Sequence, residues 1–300
     1  SYKDQVVEQL GTRVVSERIM TTPEGTLRGK WVRGFNPSDP TISVCIDPLI
    51  KTPDDWRIFD AYWKEWLASK KEYNLTDVTE AFHVMGDEGV PSVGLGCVFA
   101  HLGEVRTMRR LLIDLYRCPD IIKHVSRTMG FVMEEYVRAF LHSPSEILYY
   151  DICWATGADL SPKIFKEFVE PDIRQVVKIV KEHGNKYVGF YTLGRIRRHL
   201  PLLIDTGADF IETFEPNQGD ISLKEAKETY GNKVCLMGNF NSLTLSFGSR
   251  EDAKNETQRC LNEGMEGGGY VLVTGDEVPA DAKIENLKMM VKTVEKYGKY

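Results

Sequence analysis

Residues 186–239 repeat one unit twice, and that repeat restricts the fold more than any other stretch. KYVGFYT (residues 186–192) is a short run of β-branched and aromatic residues, RIRRHLPLLIDTG carries leucines at helical spacing, and ADFIETFEP begins a strand again. After Gly219 the cycle recurs, with SLKEAKETYG as a polar-faced helix stopped at Gly231 and KVCLMGNFN as a buried apolar strand. Short apolar strands alternating with helical segments predict a parallel sheet with helices outside it. In such folds the chemistry gathers at the carboxyl ends of the strands, where the loops converge on one face. Those ends fall at residues 191–192, 212–215 and 239–241.

The bulk numbers fit this architecture. Three hundred residues with 42% hydrophobic content suffice for one barrel of the ordinary ~250-residue size. We read residues 1–300 as a single (β/α) domain, with 1–50 as an N-terminal hairpin or edge region. The 44 acidic residues outnumber 38 Lys and Arg, the formal charge is -6, and no long basic run occurs, which argues against a nucleic-acid partner. No apolar stretch approaches the ~20 residues of a membrane span. The opening SYKDQVVEQLG is too polar for a secretory signal, so a soluble cytoplasmic protein is expected. Six cysteines without a CxxC pair read as reduced, mostly buried thiols; Cys97 and Cys153, near strand ends, are the two placed to line a pocket.

In chain order, VVSERIMTTPEGTLRGKWVRG predicts a hairpin around Pro23, Glu24 and Gly25. WRIFDAYWKEWLASKKEY predicts a helix whose stripe of Trp56, Phe59, Trp63 and Trp66 is core. FHVMG reads as a strand, and the glycine-rich run after it as a long loop able to let backbone approach a ligand. Pro119 starts a helix at its first position. EILYYDICW is a strand presenting Tyr150, Asp151 and Trp154, followed by a helix capped by Ser161, kinked at Pro171 and ended at Gly184. Parallel-strand candidates are 82–85, 147–151, 187–192, 210–214, 234–237 and 270–274, with ISVCID at 42–47 ambiguous. An eight-stranded barrel needs one or two more, so the first strand or strands are expected to be missing.

Acids and amides dominate the strand ends: Asp151, Glu212, Glu215, Asn239, Asp276 and Glu277. Carboxylates meeting at one mouth repel unless a cation, a proton or an arginine intervenes. No GxSxG elbow or readable Cys/His couple supports nucleophilic catalysis. Of the six histidines, His83 reads as a lone strand residue, and His101, ending the glycine-rich stretch, is free to point into a cavity. The other four lie on or at the ends of helices. Spacing alone identifies no zinc site.

Five further stretches carry a resemblance: TPEGTLR, DLYRCPDIIKHV, YYDICWATGADLSPKIFKEFVEP, DTGADFIETFEPNQGDISLKEAKETYGNKVCLMGNFN and GGGYVLVTGDEVPADAKIENLKMMV. Their order, from about Thr22 to Tyr300, resembles the uroporphyrinogen decarboxylase superfamily, including its corrinoid-dependent methyltransferases. The resemblance implies a TIM-like (β/α)8 barrel, in agreement with the strand count. The arginine-rich amino-terminal segment that the decarboxylases use to hold a polycarboxylate is absent from this sequence. The thiol methyltransferases carry a His-x-Cys pair and a later Cys; the matching places here hold Tyr191-Thr192-Leu193-Gly194 and Gly275-Asp276-Glu277, without thiolate ligands.

The chain is more similar to the substrate-side methyltransferases of anaerobic O-demethylase systems. Their zinc ligands, spaced as Glu, fourteen residues, Glu, twenty residues, His, match Glu65, Glu80 and His101. The resemblance then implies methyl transfer from a methoxyaromatic compound to the cob(I)alamin of a partner corrinoid protein, with zinc polarising the ether oxygen. Asp151, Tyr191 and Asn239 would act as catalytic residues. Tyr150, Trp154 and Phe190 would pack the aromatic ring, as Tyr149 could, and Asp276 and Glu277 would contact a phenol hydroxyl. Cobalamin would arrive on the partner, and a homo-oligomer is left open. The rival readings are another methyl donor or a decarboxylase-like enzyme of the superfamily, and a metal-free small-molecule-binding barrel.

Overall fold

The computed structural model describes residues 1–36, 42–71, 73, 75–157 and 159–299. Its contacts divide the chain into two compact units, residues 1–79 with 97–143, and residues 80–96 with 144–300.

The first unit opens with four strands, β1 (Tyr2–Leu10), β2 (Arg13–Thr22), β3 (Gly25–Arg33) and β4 (Ser43–Asp47), paired antiparallel in that order. The β2–β3 hairpin turns at Pro23 and Glu24, with Thr22 opposite Gly25, as the turn residues predict. The ambiguous 42–47 stretch is thus an antiparallel strand, and so is β1, a largely polar segment whose Val6, Val7 and Leu10 are exposed and give no strand signal in the sequence. Helix α1 (Asp55–Ala68) packs on β2 and β3 and against the 24-residue α5 (Pro119–His142). Trp56 and Phe59 are fully buried, each such side chain contributing ~2–3 kcal/mol of apolar transfer, whereas Trp63 and Trp66 on the same stripe are only half-buried.

Helices α3 (Val98–Arg106) and α4 (Met108–Arg117) complete this unit. Arg106 forms a buried two-point pair with Asp114, Nε to Oδ2 at 2.7 Å and Nη2 to Oδ1 at 3.1 Å, and donates through Nη1 to the carbonyls of Ile50 and Lys51. The Trp56 indole N–H reaches Asp114 at 3.2 Å. Every charge here is met by hydrogen bonds, the condition under which a buried ion pair is tolerated.

Helix α2 (Thr76–Met85) lies at the boundary in sequence. It corrects the strand expected at 82–85: FHVM is too short to declare its period, and it continues the helix that TDVTEA starts. His83 is therefore a helical residue. The strand lies further on, at β5 (Ser92–Gly96), where Gly94 and Gly96 mask a strand by lowering β propensity.

The second unit holds six parallel strands in sequential order: β5, β6 (Ile147–Asp151), β7 (Tyr187–Tyr191), β8 (Phe210–Thr213), β9 (Cys235–Gly238) and β10 (Tyr270–Val271). This is the strand order of a (β/α) barrel, with β5 and β10 at its two ends among the described strands. Intervening helices are α6 (Pro162–Phe168), α7 (Glu170–His183), α8 (Leu200–Ile204), α9 (Leu223–Tyr230), α10 (Leu243–Phe247) and α11 (Arg250–Gly264), with α12 (Ile284–Tyr297) last. The Ser161 hydroxyl caps α6, α7 restarts at Glu170 beside Pro171, and Gly184 ends it in the left-handed region at φ 92°, all as the sequence predicts.

Strand alternation sorts this sheet into two rows. Leu95, Tyr150, Phe190, Ile211, Leu236 and Tyr270 are neighbours across it, and Tyr150, Phe190, Ile211 and Leu236 are fully buried. The next position along each strand gives Gly96, Asp151, Tyr191, Glu212, Met237 and Val271. That second row lies on the opposite face, because successive side chains point to opposite sides.

Candidate functional site

The second row runs along the carboxyl ends of the strands, where parallel α/β folds carry their chemistry. Asp151, Tyr191 and Met237 are partly accessible in it, while Glu212 is 8% exposed. One layer below, Tyr149, Gly189 and Phe210 are also neighbours. The Tyr149 ring lies 5.6 Å from Phe210 and 6.0 Å from Tyr191. Gly189 is needed there, since a Cβ on it would stand 2.3 Å from the Phe210 ring.

Tyr191 and Asp276 meet above this aromatic layer, the phenol donating to Oδ1 at 3.1 Å while the Glu277 N–H donates to the same oxygen at 2.8 Å. Burial, with the Asp276 carboxylate beside it, pushes the Tyr191 phenol well above its ordinary range, so the phenol stays protonated. Asp151 Oδ1 accepts from the Cys153 N–H at 2.8 Å. Trp154, in the turn that follows, is 43% exposed.

The sequence marks Glu212 only as one strand-end acid among several, and the structure sets it apart. Its side chain is buried, Oε2 has no hydrogen-bond partner, and burial raises its carboxyl to about 7. A carboxylate held without partners in a dry site takes up a proton. Three residues on, Glu215 is also raised, by burial first, with the Gln218 and Gly194 N–H groups opposing. The signal available in the sequence was parity: Glu212 alternates with Ile211 and Thr213, and Tyr191 with Phe190 and Thr192.

Asn239 does not stand free at its strand end. It is 2% exposed; its Nδ2 donates to the Phe214 carbonyl at 2.7 Å, and its Oδ1 accepts from Arg259 at 3.0 Å. Arg259 also pairs with Glu256 and Glu263. Asn239 therefore ties the end of β8 to α11. Thr192 makes a second tie, donating to the Glu212 carbonyl at 2.6 Å.

Two residues assigned to substrate contact belong to the other face. Tyr150 is fully buried and donates its hydroxyl to Asp172 of α7 at 2.7 Å, and Phe190 is fully buried in the same row. Period-two alternation places both away from Asp151 and Tyr191. Of the two cysteines expected near a pocket, Cys97 is instead buried as the N-cap of α3, accepting from the Ala100 N–H.

The residues matched to zinc ligands are dispersed over elements. Glu65 is exposed on α1, His101 is half-buried on α3, and Glu80 is exposed on α2 in the other unit. Among the described residues no three His, Cys, Asp or Glu side chains are grouped to hold a metal ion. Among the same residues no helix is long and apolar enough to cross a membrane.

Known proteins resemble this chain in sequence and in fold. The uroporphyrinogen decarboxylase family model matches residues 79–297. A uroporphyrinogen decarboxylase of Neisseria gonorrhoeae is 26% identical over 220 residues, covering 72% of this chain and 59% of that protein. Another, from Chlorobium luteolum, is 27% identical over 190 residues, covering 62% of this chain and 52% of its own length. The chain thus spans little more than half the length of these curated relatives. A methyltransferase from Methanosarcina mazei superposes with a TM-score of 0.63 at 19% identity, over 75% of this chain and 65% of that one; at that identity the likeness is one of fold. With well over half of its length matched by the family model, the chain belongs to the uroporphyrinogen decarboxylase family.

Proposed function

We propose that this chain is a methyltransferase that moves the methyl group of a phenyl methyl ether to the cob(I)alamin of a corrinoid protein, with Glu212 as general acid. The observation that carries the reading is the buried Glu212 carboxyl, its Oε2 without a hydrogen-bond partner and its pKa raised to about 7, in one row with Tyr191. Breaking the methyl–oxygen bond expels a phenolate, whose conjugate acid has a pKa near 10 in a free phenol such as tyrosine. A carboxylic acid still protonated near neutrality lowers that barrier by giving its proton to the departing oxygen. The Tyr191–Asp276 pair would orient the ring oxygens, and Tyr149 and Phe210 would lie under the ring. The Methanosarcina mazei protein of similar fold, named a methyltransferase, supports the reaction class.

The names of the curated relatives favour a second reading, decarboxylation. Loss of carbon dioxide leaves a carbanion that also needs a proton, so Glu212 would serve there too.

One assay separates the two. The protein is mixed with 2-methoxyphenol and free cob(I)alamin, and methylcobalamin is followed by absorbance. Methylcobalamin formed by wild type and reduced at least ~100-fold in Glu212→Gln supports methyl transfer. No methylcobalamin, with carbon dioxide released from uroporphyrinogen, replaces it by decarboxylation. Neither product, with 2-methoxyphenol bound, favours the binding barrel.

A further inference from the structure

The first unit contains a cavity of about 230 Å³ that plays no part in the strand-end site. That volume lies between the ~150 Å³ known to hold a benzene ring and the ~300 Å³ lower range of ligand pockets. It is room for one ring with a small substituent. Tyr2 of β1, Trp31 of β3, and Phe59, Tyr62 and Trp63 of α1 line it. Their rings already meet edge-on, Tyr62 to Trp63 at 5.2 Å and Phe59 to Trp63 at 6.1 Å, an arrangement that accepts another aromatic ring.

The polar groups narrow the ligand further. Arg18 lines the cavity with its guanidinium carbon 4.2 Å from the Trp31 ring centre, and its Nη1 donates to Glu104 at 2.8 Å. One buried N–H group of a lining residue, Trp63 Nε1, has no hydrogen-bond partner in the protein, whereas Arg18 Nε faces the Asp4 carboxylate at 3.6 Å. A donor left bare in a buried site calls for an acceptor oxygen. A full anion is disfavoured, because Glu104 and Asp4, the latter 3.6 Å from Arg18 Nε, already offset the guanidinium charge. A cation is disfavoured because Arg18 itself occupies the face of Trp31.

We propose that the first unit carries its own binding site for a neutral, single-ring oxygenated aromatic, packed among Tyr62, Trp63 and Trp31 and hydrogen-bonded by the Trp63 indole N–H. This stands on the cavity alone and is independent of the reaction proposed above.

The test uses the full chain labelled with ¹³C at the methionine methyls and titrated with phenol, and in parallel with benzoate and tetramethylammonium. Met20 and Met129 line the cavity, whereas Met237 sits in the strand-end row. Saturable shifts of Met20 and Met129 are expected with phenol, with the two ions binding at least ~10-fold more weakly and Trp63→Phe weakening phenol about tenfold, the loss of one hydrogen bond. Unmoved Met20 and Met129 resonances overturn the proposal, as does equal affinity of Trp63→Phe or tighter binding of either ion. A shift of Met237 alone also overturns it while leaving the strand-end site occupied. The wild-type shifts decide the matter even where the substituted protein does not fold.

Discussion

Tyr191 and Glu212 are direct partners across β7 and β8, so a phenol fixed on Asp276 and a carboxyl with a bare oxygen stand side by side on one face of the sheet. One is held protonated by burial beside an acid, and the other is poised near neutrality. Their different environments separate a fixed hydrogen-bond donor from a group able to exchange a proton.

Glu212 links pH to stability. Its folded pKa of about 7 lies above the ordinary 4.5, so the native state holds a proton that the unfolded chain releases between those values. Stability is fully present below about 4.5 and declines as pH rises to about 7, by on the order of 3 kcal/mol. Glu212→Gln removes the penalty, so its melting temperature should gain on wild type from pH 5 to about pH 7 and level off above that. A pH-independent difference would mean that Glu212 is charged throughout.

In the proposed reaction the same group also governs rate. Turnover is expected to fall as pH rises through about 7, the alkaline limb tracking loss of the Glu212 proton. In Glu212→Gln that limb should vanish together with most of the activity; a limb that persists in the residual rate belongs to another acid.

Tyr191→Phe removes one hydrogen bond to Asp276 and no titrating group in this range. Activity should drop about tenfold with the pH profile unmoved. Steady-state kinetics across pH 5–9 checks both halves of the expectation.

Asn239→Ala should act on stability first. It strips the Phe214 carbonyl of its donor and Arg259 of one acceptor inside a buried network, a loss of about 2–4 kcal/mol. Urea unfolding measures it; a change below ~0.5 kcal/mol would show that water replaces the amide without penalty.

Tyr150→Phe distinguishes core from site. Without its hydroxyl Asp172 loses a partner at 2.7 Å, so stability should fall by about 1–2 kcal/mol. KM for the methyl donor should stay as in wild type. A raised KM with unchanged stability would return Tyr150 to the substrate.

The central sheet was legible because β6 to β9 are short, apolar and bounded by helices with clear caps, as at Ser161 and Gly184. β5 was not, since its two glycines carry no strand preference, and the neighbouring FHVM offered a more hydrophobic decoy that proves helical. In the site, Asp151, Tyr191 and Asp276 were visible as strand-end residues. Tyr150 and Phe190 were misplaced by reading strand ends as clusters, although counting by twos from Tyr191 excludes them. The Asn239–Arg259 tie and the first-unit cavity depend on long-range packing that no local pattern encodes. Trp63 shows the difficulty, for it shares a helical stripe with Trp56 yet its indole N–H stays bare.

The two interleaved rows of the parallel sheet also set which changes this protein can absorb. Substitutions at 151, 191, 212 or 237 alter what the sheet presents to a ligand while the layer beneath the helices, at 150, 190, 211 and 236, keeps its packing. Reactivity can thus drift one position at a time without dismantling the scaffold. Insertion of a single residue within β7 does the reverse, turning Phe190 toward the ligand and Tyr191 into the helices. A change of length is therefore tolerated in the loops far better than in the strands.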